Sequence, residues 1–265
     1  MMDATQATTN PALGVMIFTL GGLAGAVFYL PFKKVRNWAW ESYWFIYAVF
    51  GLLVVPWALA MITSPNVLSV LQEAPARTLA YCCLCGAAWG VGGLTWGLMI
   101  RYLGVGLGLA IGCGLCSAAG TLVPPILAGK VGSLLGTPSA NASMVGVLVS
   151  LVGIVLVGMA GMSKEREMSE AQKKATIKEF NFTKGILVAT FSGVMSASFA
   201  YGLDAATPLA SLSRQAGTPE LWTGLPKLCV VLLGGFTSNF LWCLCLFVRN
   251  RTGYQFLART LREAP

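Results

Sequence analysis

The sequence predicts an all-α integral membrane protein built as a multi-span helical bundle. Three observations lead there. Of the 265 residues, 56% are hydrophobic and 11% charged, where a soluble domain has about 25% charged residues, and the mean hydropathy is +0.71. The apolar runs approach the ~20 residues that cross a bilayer as a helix, and do not resemble the ~10-residue alternating segments of a barrel. Lys and Arg gather in alternate connections, so the net charge of +8 is a topology signal and not a nucleic-acid footprint.

Seven spans are drawn in order: 11–30, 44–62, 79–100, 105–127, 144–162, 182–203 and 228–248. The residues ahead of the first are polar, include Asp3 and lack a basic segment, so no cleavable signal peptide is expected. Pro31 closes span one, and Lys33, Lys34 and Arg36 follow it as topology determinants. Trp38, Trp40, Tyr43 and Trp44 are expected to form an aromatic collar at headgroup level, with Glu41 in its middle. The loop after span two holds Arg77 and Glu73, and Arg101 sits in the tight turn between spans three and four.

Span four repeats Gly and closes on Pro124-Pro125, which suits close packing and a bent or interrupted helix. Lys130 is alone in 128–143, whereas 163–184 carries Lys164, Arg166, Lys173, Lys174, Lys178 and Lys184. Arg214 and Lys227 offset Asp204 and Glu220 in the loop 204–227, and Arg249, Arg251, Arg259 and Arg262 follow span seven. The alternation places the N-terminus outside and 163–184 inside.

The segment 163–179 is the most polar in the chain and reads as a charged linker, the alternative being an amphipathic surface helix. Across it lies a weak repeat. At an offset of 171, Gly14, Thr19, Gly22, Ala26 and Phe28 meet Gly185, Thr190, Gly193, Ala197 and Phe199. Five spans separate the two starts, so the copies point in opposite directions, as in inverted-repeat transporters. The expected domains are a first five-helix repeat at 1–162, a cytoplasmic linker at 163–181 and an incomplete second repeat at 182–265. A five-plus-five repeat needs more spans than seven, so a C-terminally incomplete chain is expected, a natural seven-span protein being the alternative.

No histidine is present, which removes the commonest metal ligand. The eight cysteines, Cys113 and Cys116 with CxxC spacing among them, all lie in apolar runs and read as buried, reduced packing residues. No metal site and no cofactor are expected. No Ser/His/Asp set, HExxH or Walker motif is present, so an enzyme is not expected. The sequons at Asn141, Asn181 and Asn250 carry no implication by themselves.

A transporter needs polar and aromatic groups along a path. Trp89 and Trp96 are seven residues apart, two turns on along one helical face. Their rings can stack on the apolar face of a sugar, or simply pack between helices. Asn239 lies near the middle of span seven and must bond another helix or a ligand. Glu41 and Asp204 are the carboxylates at span borders close to aromatics or small residues, hence the candidates for proton coupling.

Four stretches carry a family resemblance: F-Y-x-P-F-K-K-V-x-x-W-x-W-E from Phe28, W-G-x-G with G-L-x-x-R-Y-L-G over 89–104, G-T-L-x-x-P over 120–125, and E-F-N-x-x-K-G over 179–185. Together they resemble the L-rhamnose–proton symporters of the drug/metabolite transporter superfamily. The resemblance implies a ten-span, inverted-repeat permease of the bacterial inner membrane that imports a deoxy-sugar, with a proton as coupling ion. Trp96 stands where the family pattern leads to tyrosine, and Asp204-Ala-Ala where it leads to Asn-Ala-Ala; both positions bear on substrate choice.

The combined reading is a proton-coupled sugar permease working by alternating access. Its expected path residues are Tyr29, Trp89, Trp96, Tyr201 and Asn239, with Glu41 first and Asp204 second for coupling. Its partners are a small sugar and membrane lipid, with no nucleic acid and the oligomeric state left open. The alternatives are an exporter of drugs or metabolites in the same superfamily and a membrane sensor or assembly subunit.

Overall fold

A computed structural model of the chain describes residues 11–28, 30–127, 129–167 and 181–256. Tyr29, the polar N-terminus, most of the predicted linker and the C-terminal Arg259 and Arg262 lie outside the described residues. The helices are α1 (Pro11–Val27), α2 (Trp40–Thr63), α3 (Val67–Glu73), α4 (Ala76–Leu103), α5 (Val105–Leu127), α6 (Pro138–Glu167), α7 (Phe182–Ala205), α8 (Thr207–Gln215) and α9 (Leu225–Asn250). No strand occurs among the described residues. Among the described residues six helical segments are long and apolar enough to cross a bilayer, and α1 is a further apolar helix with largely exposed side chains.

The seven predicted spans are all helical, and their ends are set by local chemistry. Pro75 precedes α4, and Gly104, at φ +77°, makes the sharp turn into α5. Thr137 Oγ1 accepts from the Ala140 N–H at 3.1 Å to cap α6. Asn181 Oδ1 accepts from the Lys184 N–H at 2.9 Å, so this sequon residue is the N-cap of α7.

Four features depart from the sequence reading. α5 runs uninterrupted to Leu127 with Pro124 and Pro125 in its last turn, where the two prolines leave only the Gly120 and Thr121 carbonyls without a helical N–H. α6 continues past Met162 to Glu167, taking in the first residues of the predicted linker. The connections 63–78 and 204–227 contain the short helices α3 and α8, which pack on each other. Finally, α2 contains a wide π-helical stretch, Ala48–Val54, just before Pro56, which has no N–H to give the Leu52 carbonyl. Its buried row is Trp44, Ala48, Leu52, Pro56 and Ala60, spaced by four. Residues four apart drift around an ordinary helix of 3.6 residues per turn. The wider turn offsets that drift and keeps the row against α9.

α4 is the central helix, packed against both α7 and α9; α5 covers the other side of α7, α6 lies outside α5, and α2 lies along α9. In lipid, close approach of backbones replaces the hydrophobic effect as the driving force for helix association. The α4–α9 crossing shows the requirement. A Cβ on Gly86 would collide with the Val231 carbonyl, and one on Gly234 with the Cys83 carbonyl. Cysteines serve the same packing in part. Cys82, Cys85, Cys229 and Cys243 are buried, with Cys82 Sγ donating to the Gly202 carbonyl at 3.3 Å. Cys113 and Cys245 depart from the expectation of burial and are exposed on the outer faces of α5 and α9.

Candidate functional site: an aromatic cavity beside a polar latch

A cavity of about 340 Å³ lies where α2, α4, α7 and α9 meet. Its wall includes Trp44 and Tyr47 of α2, Trp89, Gly93 and Trp96 of α4, and Ser196, Phe199 and Asn239. Phe28, Leu52, Gly90 and Cys116 complete the lining. The spacing of Trp89 and Trp96 does put both indoles on one wall. Trp89 is steadied by Phe199, with ring centres 5.0 Å apart and planes at 49°.

The polar groups of the cavity are held by other helices. Trp96 Nε1 donates to Ser196 Oγ at 3.0 Å, joining α4 to α7. Nearby, the Thr95 and Ser192 hydroxyls lie 2.6 Å apart and share a hydrogen bond. Trp44 Nε1 donates to Asn239 Oδ1 at 2.8 Å, and Asn239 Nδ2 donates to the Gly235 carbonyl at 2.8 Å. Asn239 therefore bonds its neighbours and lines the cavity at once. Trp44 leaves the expected headgroup collar. It is 7% exposed and stacked on Trp40 at 5.1 Å, because α2 begins at Trp40 and turns position 44 toward α9.

One helical turn before Trp44, Glu41 is 4% exposed and is the sole buried acidic residue among the described side chains. Its Oε1 accepts from Asn250 Nδ2 at 2.9 Å and from Thr252 Oγ1 at 2.7 Å. The chain reverses at Arg251, φ +55°, and the turn Gly253–Phe256 lays Gln255 over the start of α2. There Gln255 Oε1 accepts from Ser42 Oγ at 2.6 Å and from the Ala39 N–H at 3.0 Å. These bonds form a latch between the first turn of α2 and the end of α9.

The other sequence candidates lie elsewhere. Tyr201 donates its hydroxyl to the Ala119 carbonyl at 3.1 Å, tying α7 to α5 outside the cavity wall. Asp204 is exposed in the last turn of α7, at the end of the bundle opposite Glu41. Tyr29 cannot be placed, being outside the described residues. Sequence reasoning missed Ser196, Phe199, Asn250, Thr252 and Gln255. The available signals were the Ser192-x-x-x-Ser196 spacing beside a tryptophan needing an acceptor, and the polar run directly after span seven. Among the described residues no group of three or more Cys, Asp or Glu converges to hold a metal ion.

Comparison with known proteins adds the family. The family model described as L-rhamnose-proton symport protein matches residues 8–253. An L-rhamnose-proton symporter of Cronobacter sakazakii is 37% identical over 231 residues, covering 87% of this chain and 66% of that protein. L-rhamnose-proton symporters of Yersinia pestis and Yersinia pseudotuberculosis are each 35% identical over 240 residues, covering 91% of this chain and 68% and 67% of those proteins. The chain thus spans about two thirds of the length of these curated relatives. No solved structure matches it. The family is one of transporters and not of enzymes, and its apolar helices make the protein a multi-pass membrane protein. With nearly the whole sequence inside the match, the chain belongs to the L-rhamnose–proton symport protein family.

Proposed function

We propose that this protein imports L-rhamnose or a closely related deoxy-sugar together with a proton, by alternating access between two inverted halves, 1–162 and the part beginning at 182. The observation that carries the reading is the cavity itself. Two indoles on one helix offer flat apolar faces, while Ser196 and Asn239 supply polar atoms already oriented by their neighbours. A pyranose needs that combination, since it has apolar C–H faces and a polar rim of hydroxyls. The relatives' names say that they carry L-rhamnose with a proton.

Glu41 takes the coupling role in this reading. A buried carboxylate at a membrane border gains or loses a proton as its surroundings open and close. Protonation turns an acceptor of two hydrogen bonds into a group that also donates, which loosens the latch to Asn250 and Thr252. By the distribution of Lys and Arg, the latch lies at the cytoplasmic end. Opening it would connect the cavity to the cell interior.

The test is reconstitution in liposomes with a pH dye inside and L-rhamnose added outside. Internal acidification is the expected result, and none with any sugar overturns symport. Glu41→Gln keeps an acceptor for Asn250 and Thr252 but cannot ionise. It is expected to abolish sugar-driven proton entry while sugar exchange survives. Unchanged proton entry in this variant removes Glu41 from the coupling role.

A further inference from the structure

We infer that Gly93 sets the width of the ligand slot in the cavity, and with it the size of ring substituent that the transporter accepts. This rests on the sugar-binding reading of the same cavity. Trp89, Gly93 and Trp96 occupy positions i, i+4 and i+7 of α4, a single face of the helix. All three line the cavity. The side chain at 93 therefore stands between the two indoles, where the flat face of a pyranose would lie.

Gly86, Gly90 and Gly92 of α4 are explained by close contact with neighbouring helices, Gly90 also lining the cavity. A Cβ on Gly90 would collide with Ser238 Oγ, and one on Gly92 would lie 2.8 Å from the Ser196 backbone nitrogen. Gly93 is different, because an added Cβ meets no heavy atom within 4 Å. A glycine inside a helix costs stability relative to alanine. Neither packing nor backbone conformation asks for one at 93: the residue is helical and carries no positive φ. The space it leaves belongs to the cavity. Gly97 supplies the control. It lies one turn further along α4, it too would meet nothing within 4 Å, and it is not part of the cavity wall.

L-lyxose, L-rhamnose and L-mannose form a series in which one ring carbon carries a hydrogen, a methyl or a hydroxymethyl group. Their affinities are measured for the purified protein by tryptophan fluorescence and by competition against L-rhamnose uptake in liposomes. Gly93→Ala is expected to lower the affinity for L-mannose relative to L-lyxose by about tenfold, the effect of one methyl group in a shaped pocket. Gly97→Ala is expected to leave that ratio at the wild-type value, and both variants should unfold at or above the wild-type temperature. An unchanged ratio in Gly93→Ala overturns the inference while leaving sugar transport intact. So does an equal loss for all three sugars, or the same change in Gly97→Ala. A wild-type protein that binds none of the sugars overturns both readings together.

Discussion

Trp44 Nε1 donates to Asn239 Oδ1 at 2.8 Å, and this bond ties α2 to α9 at the wall of the cavity. Both partners are nearly buried, Trp44 at 7% and Asn239 at 4% exposure. The bond therefore connects the helix that carries Glu41 to the helix that carries Asn250. The latch and the cavity wall are thus joined by the same two helices.

Removing that link has a calculable cost. Trp44→Phe leaves the Asn239 carbonyl oxygen without its donor, at about 1–3 kcal/mol for an unsatisfied buried group. Asn239→Leu takes the Asn239 acceptor away from the Trp44 N–H instead. The double variant should be less destabilised than the sum of the two, because the shared bond is lost only once. Thermal unfolding in detergent checks this, and strict additivity would show that the two residues do not interact.

Gln255 bears on the latch without touching the cavity. Its Oε1 accepts from two groups, the Ser42 hydroxyl and the Ala39 N–H. Gln255→Leu strands both donors at the start of α2, and a loss of about 1–3 kcal/mol of stability is expected. Gln255→Glu retains this acceptor, gives up only the 3.5 Å contact of Nε2 with the Asn37 carbonyl, and should lose less. The comparison of the two unfolding temperatures is the measurement, and equal losses would assign the effect to side-chain shape.

Cys116 gives a direct probe of cavity occupancy, because it lines the cavity on α5 while Cys82, Cys85, Cys229 and Cys243 are buried. In a variant retaining Cys116 alone, a small maleimide should label it slowly, and L-rhamnose should slow the labelling further. A protein retaining only Cys245, exposed on α9, should label at a rate independent of sugar. Sugar protection of Cys245 but not Cys116 would place the ligand elsewhere.

The positions of the helices were legible from residue type and spacing alone. Long apolar runs leave a chain in lipid no alternative to intrahelical hydrogen bonding, and Pro31 marked the end of the first run. The pairing of Trp89 with Trp96 was equally legible, since it lies within one helix and follows from the 3.6-residue turn. The expected inward placement of Asn239 followed from the cost of an unpaired amide in hydrocarbon.

What the sequence could not set is which helices face which. Trp44 reads as an interfacial ring until the π-helical stretch of α2 and the approach of α9 bring Asn239 to its N–H. Glu41 finds its partners at Asn250 and Thr252, more than two hundred residues away, through a chain reversal at Arg251. Gly90, Gly92 and Gly93 look alike in a string of letters. Only the neighbours supplied by α7 and α9 show that Gly90 and Gly92 touch other helices while a Cβ on Gly93 would meet open space. Local periodicity fixes where a residue points on its own helix, whereas partners from distant segments are decided by tertiary packing, which no local pattern encodes.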